Sequence, residues 1–467
     1  MIPAKTLPEA YNAVDPAPAL PPGDPRYVDC RDVRGNEDIV AHLFRTISYS
    51  DPTVRATSQL VAGHRGCGKS TELFRLKDLL EKEGFCVVYF SVVGYLDLND
   101  LIYTDLLLCI ARRIVEDFSG ESGEIHLEQE MEPALKAIEQ WFSDIVFHQD
   151  EWKEITKELK IETSIGVGLP RSVPFIARLL AKLLGQIKTG DKIRLEVRQK
   201  LERQISQLLE QINDLLLIVN DAVKQHGKRG LVVIVDALDR IRWKDLGNER
   251  TSHDALYIDH GEQLRGLRCH TIYTVPISMV YSVKANYLKS IFPECGVLPM
   301  IRIHEPRVKG GGEAQAGIER LRTVLAHRID LETLAEPEAV SYLCKACGGH
   351  LRELMTLMRY NIEYADEAQP QPITMVSAQR AMARAVTVFS RTIPEEHFIK
   401  LACVHLTNRI LNDADHQLML FNLSVLEYAN GEEPWYDVHP AVQRLTSFRQ
   451  ALARVSEDGC SKLIIKS

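Results

Sequence analysis

Nine consecutive residues, Gly63-His64-Arg65-Gly66-Cys67-Gly68-Lys69-Ser70-Thr71, satisfy the pattern G-x-x-x-x-G-K-[ST]. The chemistry open to such a loop is phosphate binding. Its glycines let the backbone curl so that N–H groups point inward, and a following helix adds partial positive charge at its N-terminus. Lys69 can then reach the β- and γ-phosphates, while the Ser70 hydroxyl ligates Mg²⁺. The flanks are those the motif needs. Residues 58–62 read as a buried strand, and 70–84 as a helix with Leu73, Phe74, Leu76, Leu79 and Leu80 on one side. The pattern predicts a nucleotide-binding protein.

Hydrolysis needs a second half of the site. Leu231-Val232-Val233-Ile234-Val235-Asp236 is an apolar run ending in an acid, the Walker B pattern. A buried strand would deliver Asp236 to the C-terminal edge of the sheet, beside the phosphate loop, to orient Mg²⁺ with Ser70. Asp239 is the candidate for orienting a water against the γ-phosphate; a loop cap or a partner for Arg240 is its alternative role. Position 237 is alanine rather than a second acid, so slow turnover is expected. Thr274 ends an apolar strand and reads either as a γ-phosphate contact or as an inert strand residue. In Gly348-Gly349-His350-Leu351-Arg352-Glu353-Leu354, paired glycines end one helix and Arg352 opens the next. A cation there can swing onto a γ-phosphate and report it by closing a lid; a surface arginine in a bundle is the alternative. Cys344, Cys347 and His350 resemble half a zinc site, but no second pair stands at suitable spacing, so zinc is not expected.

These residues must be held by a scaffold, and its pattern alternates strand and helix from 57 to about 305. Apolar runs at 85–93, 230–236, 270–275 and 298–303 join 58–62 as strands. They imply a doubly wound α/β core with a parallel sheet covered on both faces, interrupted by a helical insertion at about 119–228. Within the insertion, 193–225 has sustained helical periodicity. Residues 174–187 are amphipathic, with Phe175, Ile176, Leu179, Leu180, Leu183, Leu184 and Ile187 opposite Arg178 and Lys182; the stripe reads as docked on the core, with a membrane surface as the alternative. Residues 1–26 hold seven of the 21 prolines and read as a disordered or loosely packed arm. The core is assigned to 27–306, a helical lid to 307–390 and a last domain to 391–467. There, helices precede two alternating strands around Asn430-Gly431, the outline of a winged helix.

The chain has 467 residues, 26% of them charged, and a net charge of −8, which suits a multidomain globular protein rather than one built to coat nucleic acid. No signal peptide or membrane-spanning run is read. Ten cysteines, several in apolar segments (Cys86, Cys109, Cys269, Cys403), suggest reduced thiols and a cytoplasmic setting.

Taken together, GHRGCGKST at 63–71, LVVIVDALDR at 231–240 and GGHLREL at 348–354 resemble the STAND-type and origin-recognition-type branch of AAA+ ATPases, including NACHT-like and bacterial antiviral members. The resemblance spans about 30–445. It implies ATP and Mg²⁺ as ligands, a sensor role for Arg352, and an adenine-lining role for Arg34-Gly35-Asn36-Glu37. It also implies a switch in which ATP or ADP controls opening, oligomerisation or a partner's activity, in defence or signalling. No effector domain or terminal repeat is legible, so a separate protein partner is expected to supply one. ATP over GTP follows from the resemblance alone; no Asn/Thr-Lys-x-Asp motif is apparent. The alternative is a DNA-binding loader or transposition regulator using the winged helix. Residues 394–467 carry ten acids against seven Lys/Arg, a net of −3, with Glu432, Glu433 and Asp437 placed in the wing where phosphate would lie. That balance disfavours duplex DNA.

Overall fold

The structure, a computed structural model, describes every residue except 1–2, 36–37, 51–55, 121–124, 165–168, 171–172, 190, 368–371, 432, 457–458 and 461–467. Asn36 and Glu37 of the expected adenine-lining segment, and the acids Glu432, Glu457 and Asp458, lie outside the described residues.

Five parallel strands, β1 (Ser58–Gly63), β2 (Cys86–Ser91), β3 (Leu231–Asp236), β4 (His270–Pro276) and β5 (Glu294–Leu298), form one sheet in the order β2-β3-β4-β1-β5. Every residue of β3 and β4 is buried, which is why these strands read as continuous apolar runs rather than alternating ones. β4 lies between β1 and β3, with Val61 opposite Thr274 and Val235 opposite Tyr273. The C-terminal ends of β1 and β3 therefore open on one edge. The strand expected at 298–303 is instead Glu294–Leu298. Met300 and Ile301 are buried because they join other parts of the chain: Met300 N–H donates to Glu427 O (2.9 Å) and Ile301 N–H to Gly349 O (3.3 Å).

Helix Lys69–Lys82 leaves the phosphate loop and buries Leu73, Leu76 and Leu80, while Leu79 is exposed rather than packed. The insertion contains helices Glu128–Trp141, Gln149–Ser164, Phe175–Thr189, Asp191–Arg203 and Ile205–Gln225, the periodic stretch 193–225 being broken at Gln204. Phe175–Thr189 turns its stripe inward: Ile176, Leu179, Leu180, Leu183, Leu184 and Ile187 are buried in the same core as helix Tyr103–Ser119. Its polar side pairs Lys182 with Glu158 (2.8 Å) and Glu162 (2.7 Å). The membrane-surface reading is thereby corrected, since protein covers the apolar face. Among the described residues no helix is long and apolar enough to cross a membrane.

The proline-rich arm is also corrected. Helix Leu7–Ala13 buries Leu7 and Ala10, with Val14, in the core of the helical region that contains Leu354, Met358 and Ile362. Tyr11 OH donates to Glu363 (3.2 Å), and Arg359 lies 4.0 Å from the Tyr11 ring centroid. The prolines shape an irregular path rather than prevent packing.

Beyond the sheet, helices Gln315–Ala326, Pro337–Ala346, Leu351–Glu367 and Met375–Ser390 precede His397–Thr407, Ala414–Phe421 and an antiparallel hairpin, β6 (Val425–Tyr428) and β7 (Trp435–Val438). Both faces of this hairpin are covered. Leu426, Tyr428 and Trp435 pack in the core under the phosphate-loop helix, while Val425, Tyr436 and Val438 pack on the C-terminal helices. Asp437, expected in the wing facing phosphate, is instead interior: it accepts from His405 Nδ1 (2.6 Å) and lies 3.4 Å from His304 Nε2. The reduced state expected for Cys403 is corrected as well, because Cys403 and Cys460 form a disulfide; Cys86, Cys109 and Cys269 are free.

Glu427 is equally buried, and desolvation pushes its carboxyl from 4.5 up to about 7. The unfolded chain therefore releases this proton at a lower pH than the folded one, so Glu427 destabilises the fold as pH rises from about 4.5 to about 7, by about 3 kcal/mol in all. Glu427→Gln is expected to gain stability over the parent as pH is raised from about 5 to about 8, measured by urea titration at each pH. A difference that is flat in pH would contradict this.

Candidate functional site

The phosphate loop joins the end of β1 to helix Lys69–Lys82, and its lysine sets the geometry. Lys69 Nζ donates to Gly63 O (2.8 Å) and His64 O (2.9 Å) and pairs with Asp239 Oδ2 (2.9 Å), with both side chains buried. Burial disfavours the ammonium, but the negative charge beside it prevails and the Lys69 pKa rises. All three ammonium hydrogens are engaged, so a phosphate reaching Lys69 competes with Asp239.

Asp236 ends β3 on the same edge but is buried and does not itself line the cleft. Its Oδ2 accepts from Tyr89 OH (2.7 Å) and its Oδ1 from Ala237 N–H (2.6 Å). The residues after it, Ala237, Asp239 and Arg240, line the cleft together with Gly66, Gly68, Lys69, Ser70 and Thr71. Ala237 turns the chain there with φ +67°, a conformation costly for a non-glycine residue, and this aims Asp239 at Lys69. Thr274 does not line the cleft. Its hydroxyl accepts from Leu238 N–H (2.9 Å), so it braces the turn that carries Asp239.

Three loop residues bind parts of the chain far off in sequence; His64 and Cys67 stand behind the cleft, while Arg65 lines it. His64 is enclosed: Glu427 N–H donates to Nε2 (3.0 Å), which leaves the proton on Nδ1 to donate to Leu420 O (3.1 Å). Burial holds its pKa down at about 3, so the ring is neutral. Arg65 lies 4.2 Å from the Phe421 ring centroid, and its Nε donates to Asp239 O (3.1 Å). Cys67, itself buried, offers its carbonyl to Arg34 Nη2 (2.7 Å). Arg34 thus lines the cleft as a brace of the loop. Gly35 packs instead against Ala429 and Gly431 of the hairpin turn, away from its expected adenine-lining place.

The glycine-paired segment docks on the loop from the other side. Arg352 N–H donates to Gly66 O (3.3 Å). Glu353 N–H donates to His350 Nδ1 (2.9 Å), so the Nε2 proton is free to donate to Arg65 O (2.6 Å). The two ring nitrogens read as half a zinc site are thereby both spent on backbone. A Cβ on Gly349, whose φ is +75°, would stand 1.9 Å from Ile301 O, which explains the glycine at that position. Gly66 is a freely variable position of the motif, yet a Cβ there would meet Arg352 Cβ and His350 Cε1 at 2.7 Å, at φ +87°. Gly66→Ala is therefore expected to push this segment off the loop and cost about 1–3 kcal/mol of stability, read by thermal melting. An unchanged melting temperature would contradict the contact.

Sequence reasoning missed the outer wall. Pro18, Leu20, Tyr27, Val324 and Met355 line the same cleft. Leu20 N–H donates to Thr71 Oγ1 (3.2 Å), tying the arm to the phosphate-loop helix. The arm helix is too short for periodicity to reveal it, and nothing local marks 16–20 as a wall.

No protein-family model matches the chain, and no curated protein matches it. Solved structures similar over nearly its whole length include the ORC2 protein of Aeropyrum pernix in ADPNP–ADP complexes, at 14% identity, with TM-score 0.42 and 98% of each chain covered. Drosophila ORC bound to DNA is similar at 12% identity and TM-score 0.38, covering 97% of this chain and 94% of that one. A Walker-type ATPase of Pyrococcus abyssi is similar at 12% identity and TM-score 0.39, covering 94% and 99%. With its parallel sheet, its G-x-x-x-x-G-K-S loop after β1 and its acid at the end of β3, this chain has the α/β fold of a phosphate-loop NTPase, followed by a helical C-terminal region.

Proposed function

We propose that this chain is an ATP-binding, slowly hydrolysing switch of the AAA+ type, on its origin-recognition side rather than its STAND side, and that nucleotide controls its assembly or a partner's activity. One observation carries the reading. The loop that would hold the phosphates is gripped on one face by His350 and Arg352 and on the other by Leu420, Phe421 and Glu427. Any displacement of that loop is passed to both regions. The GGHLR segment at 348–352 resembles the sensor segment of origin-recognition ATPases, and its contact with the loop through Arg352 supports that side.

Ser70 and Asp236 would hold Mg²⁺. They are oxygen donors of the kind a hard cation takes: among the described residues the Ser70 hydroxyl has no protein partner, and each Asp236 oxygen accepts only one hydrogen bond. The ion would neutralise charge on the terminal phosphates. Lys69 would exchange Asp239 for a phosphate oxygen, and the released carboxylate would orient water. With alanine at 237 no acid directly follows Asp236, which supports slow turnover. The test is the mass of the particle in saturating ATP and in ADP. A nucleotide-dependent mass that Lys69→Ala abolishes supports the switch; the same mass in both, with nucleotide bound, contradicts it.

A second reading, DNA binding through the C-terminal region, gains from the interior placement of Glu427 and Asp437, which removes two acids from the exposed surface. It loses from the covered hairpin. Duplex binding whose affinity falls steeply with salt would favour it.

A further inference from the structure

The turn after β3 carries a second cation toward the cleft. Arg240 closes the short turn Leu238–Arg240, is exposed, and lines the cleft with Lys69, Ser70 and Arg352. It directly follows Asp239, whose carboxylate stands 2.9 Å from Lys69 Nζ. Most arginines around it are committed: Arg65 to the Asp239 carbonyl and Phe421, Arg34 to the Cys67 carbonyl. Among the described residues, the Arg240 and Arg352 guanidinium groups have no ion-pair partner. Burial, then the charge of Arg240, holds the Arg352 guanidinium below its ordinary pKa; burial does the same to Arg65, with Asp239 opposing it and Arg240 and Arg352 adding to it. Like charges crowd one rim of one cleft, and an anion there relieves them.

We infer that Arg240 is the residue that contacts the terminal phosphate of a bound nucleoside triphosphate, supplied by the same molecule that holds the nucleotide. The inference rests on the nucleotide-switch reading above. Arg240 comes from the turn braced by Thr274 and Arg65, so it is placed by the core. Arg352 comes from the helical region and is placed by the segment docked on Gly66. The two cations would approach a γ-phosphate from different bodies, one fixed to the sheet and one to the lid. A diphosphate would reach the loop and Lys69 but leave Arg240 unengaged. Arginine suits this place because its guanidinium stays charged beside other cations and can bind two phosphate oxygens at once.

The experiment measures equilibrium binding of the β,γ-imido analogue of ATP and of ADP, each with Mg²⁺, to the full chain, to Arg240→Ala and to Arg240→Lys. The expected result is at least about a tenfold loss of analogue affinity in Arg240→Ala, unchanged ADP affinity, and partial recovery in Arg240→Lys. ATP turnover by Arg240→Ala is expected to fall by about 10³-fold. Mixing it with Lys69→Ala, which carries Arg240 but lacks the phosphate lysine, should restore none of it. Equal analogue and ADP losses, or no loss, would overturn the inference. Restored turnover on mixing would overturn its same-molecule part. If the parent chain binds neither nucleotide, the switch reading itself fails, an outcome distinct from a parent that binds both and is indifferent to position 240.

Discussion

Lys69→Ala is expected to abolish measurable ATP turnover, a loss of about 10²–10³-fold or more, and also to destabilise the fold. The first effect follows from its place at the mouth of the loop, the second from its environment. Lys69 and Asp239 are a buried pair 2.9 Å apart, and truncating the lysine leaves a carboxylate in the interior with its charge unmatched. Breaking such a pair costs about 3–5 kcal/mol. The double variant Lys69→Ala, Asp239→Asn removes the orphaned charge and is expected to recover much of that stability while remaining inactive. Urea titration of the two single variants and the double one, with turnover measured in parallel, checks both parts. Equal stabilities for Lys69→Ala and the double variant would mean that the pair is not coupled.

The second large effect is expected at His64, which touches no phosphate. His64→Ala strands Leu420 O and Glu427 N–H in the interior, at about 1–3 kcal/mol for each unsatisfied group, and opens a cavity beside them. The variant should still bind ATP, because the imidazole faces away from the cleft. It should lose the response of the C-terminal region to nucleotide, because the link from loop to hairpin is gone. Nucleotide titration together with protease sensitivity of the 420–438 segment separates these results. Retained ATP binding with an intact C-terminal response would contradict the proposed role, as would lost ATP binding.

The inner strands of the sheet were legible because strands buried on both faces must be apolar throughout, so 58–62, 230–236 and 270–275 announced themselves; 85–93 is an apolar run too, although its strand is a half-buried edge. The phosphate loop was legible because its glycines answer a backbone requirement. The run 298–303 misled, since burial alone does not distinguish a strand from a junction; Met300 and Ile301 are buried against the hairpin and Gly349 instead. Asp437 misled for a related reason: a carboxylate in a hairpin reads as exposed until its histidine partners, 32 residues upstream at His405 and far earlier at His304, are known. The roles of His64 and His350 were hidden because each depends on backbone groups brought together only by the fold. The amphipathic stripe at 175–187 had two readings that composition could not separate; packing separated them.

Hydrogen exchange of segments 345–356 and 420–428, followed in the parent chain with and without saturating Mg·ATP, tests the account most directly. Both segments are predicted to change protection together when ATP binds, and neither should change in Lys69→Ala. Unaltered protection in both segments while the nucleotide site is demonstrably filled would mean that the phosphate loop does not communicate with the regions that grip it.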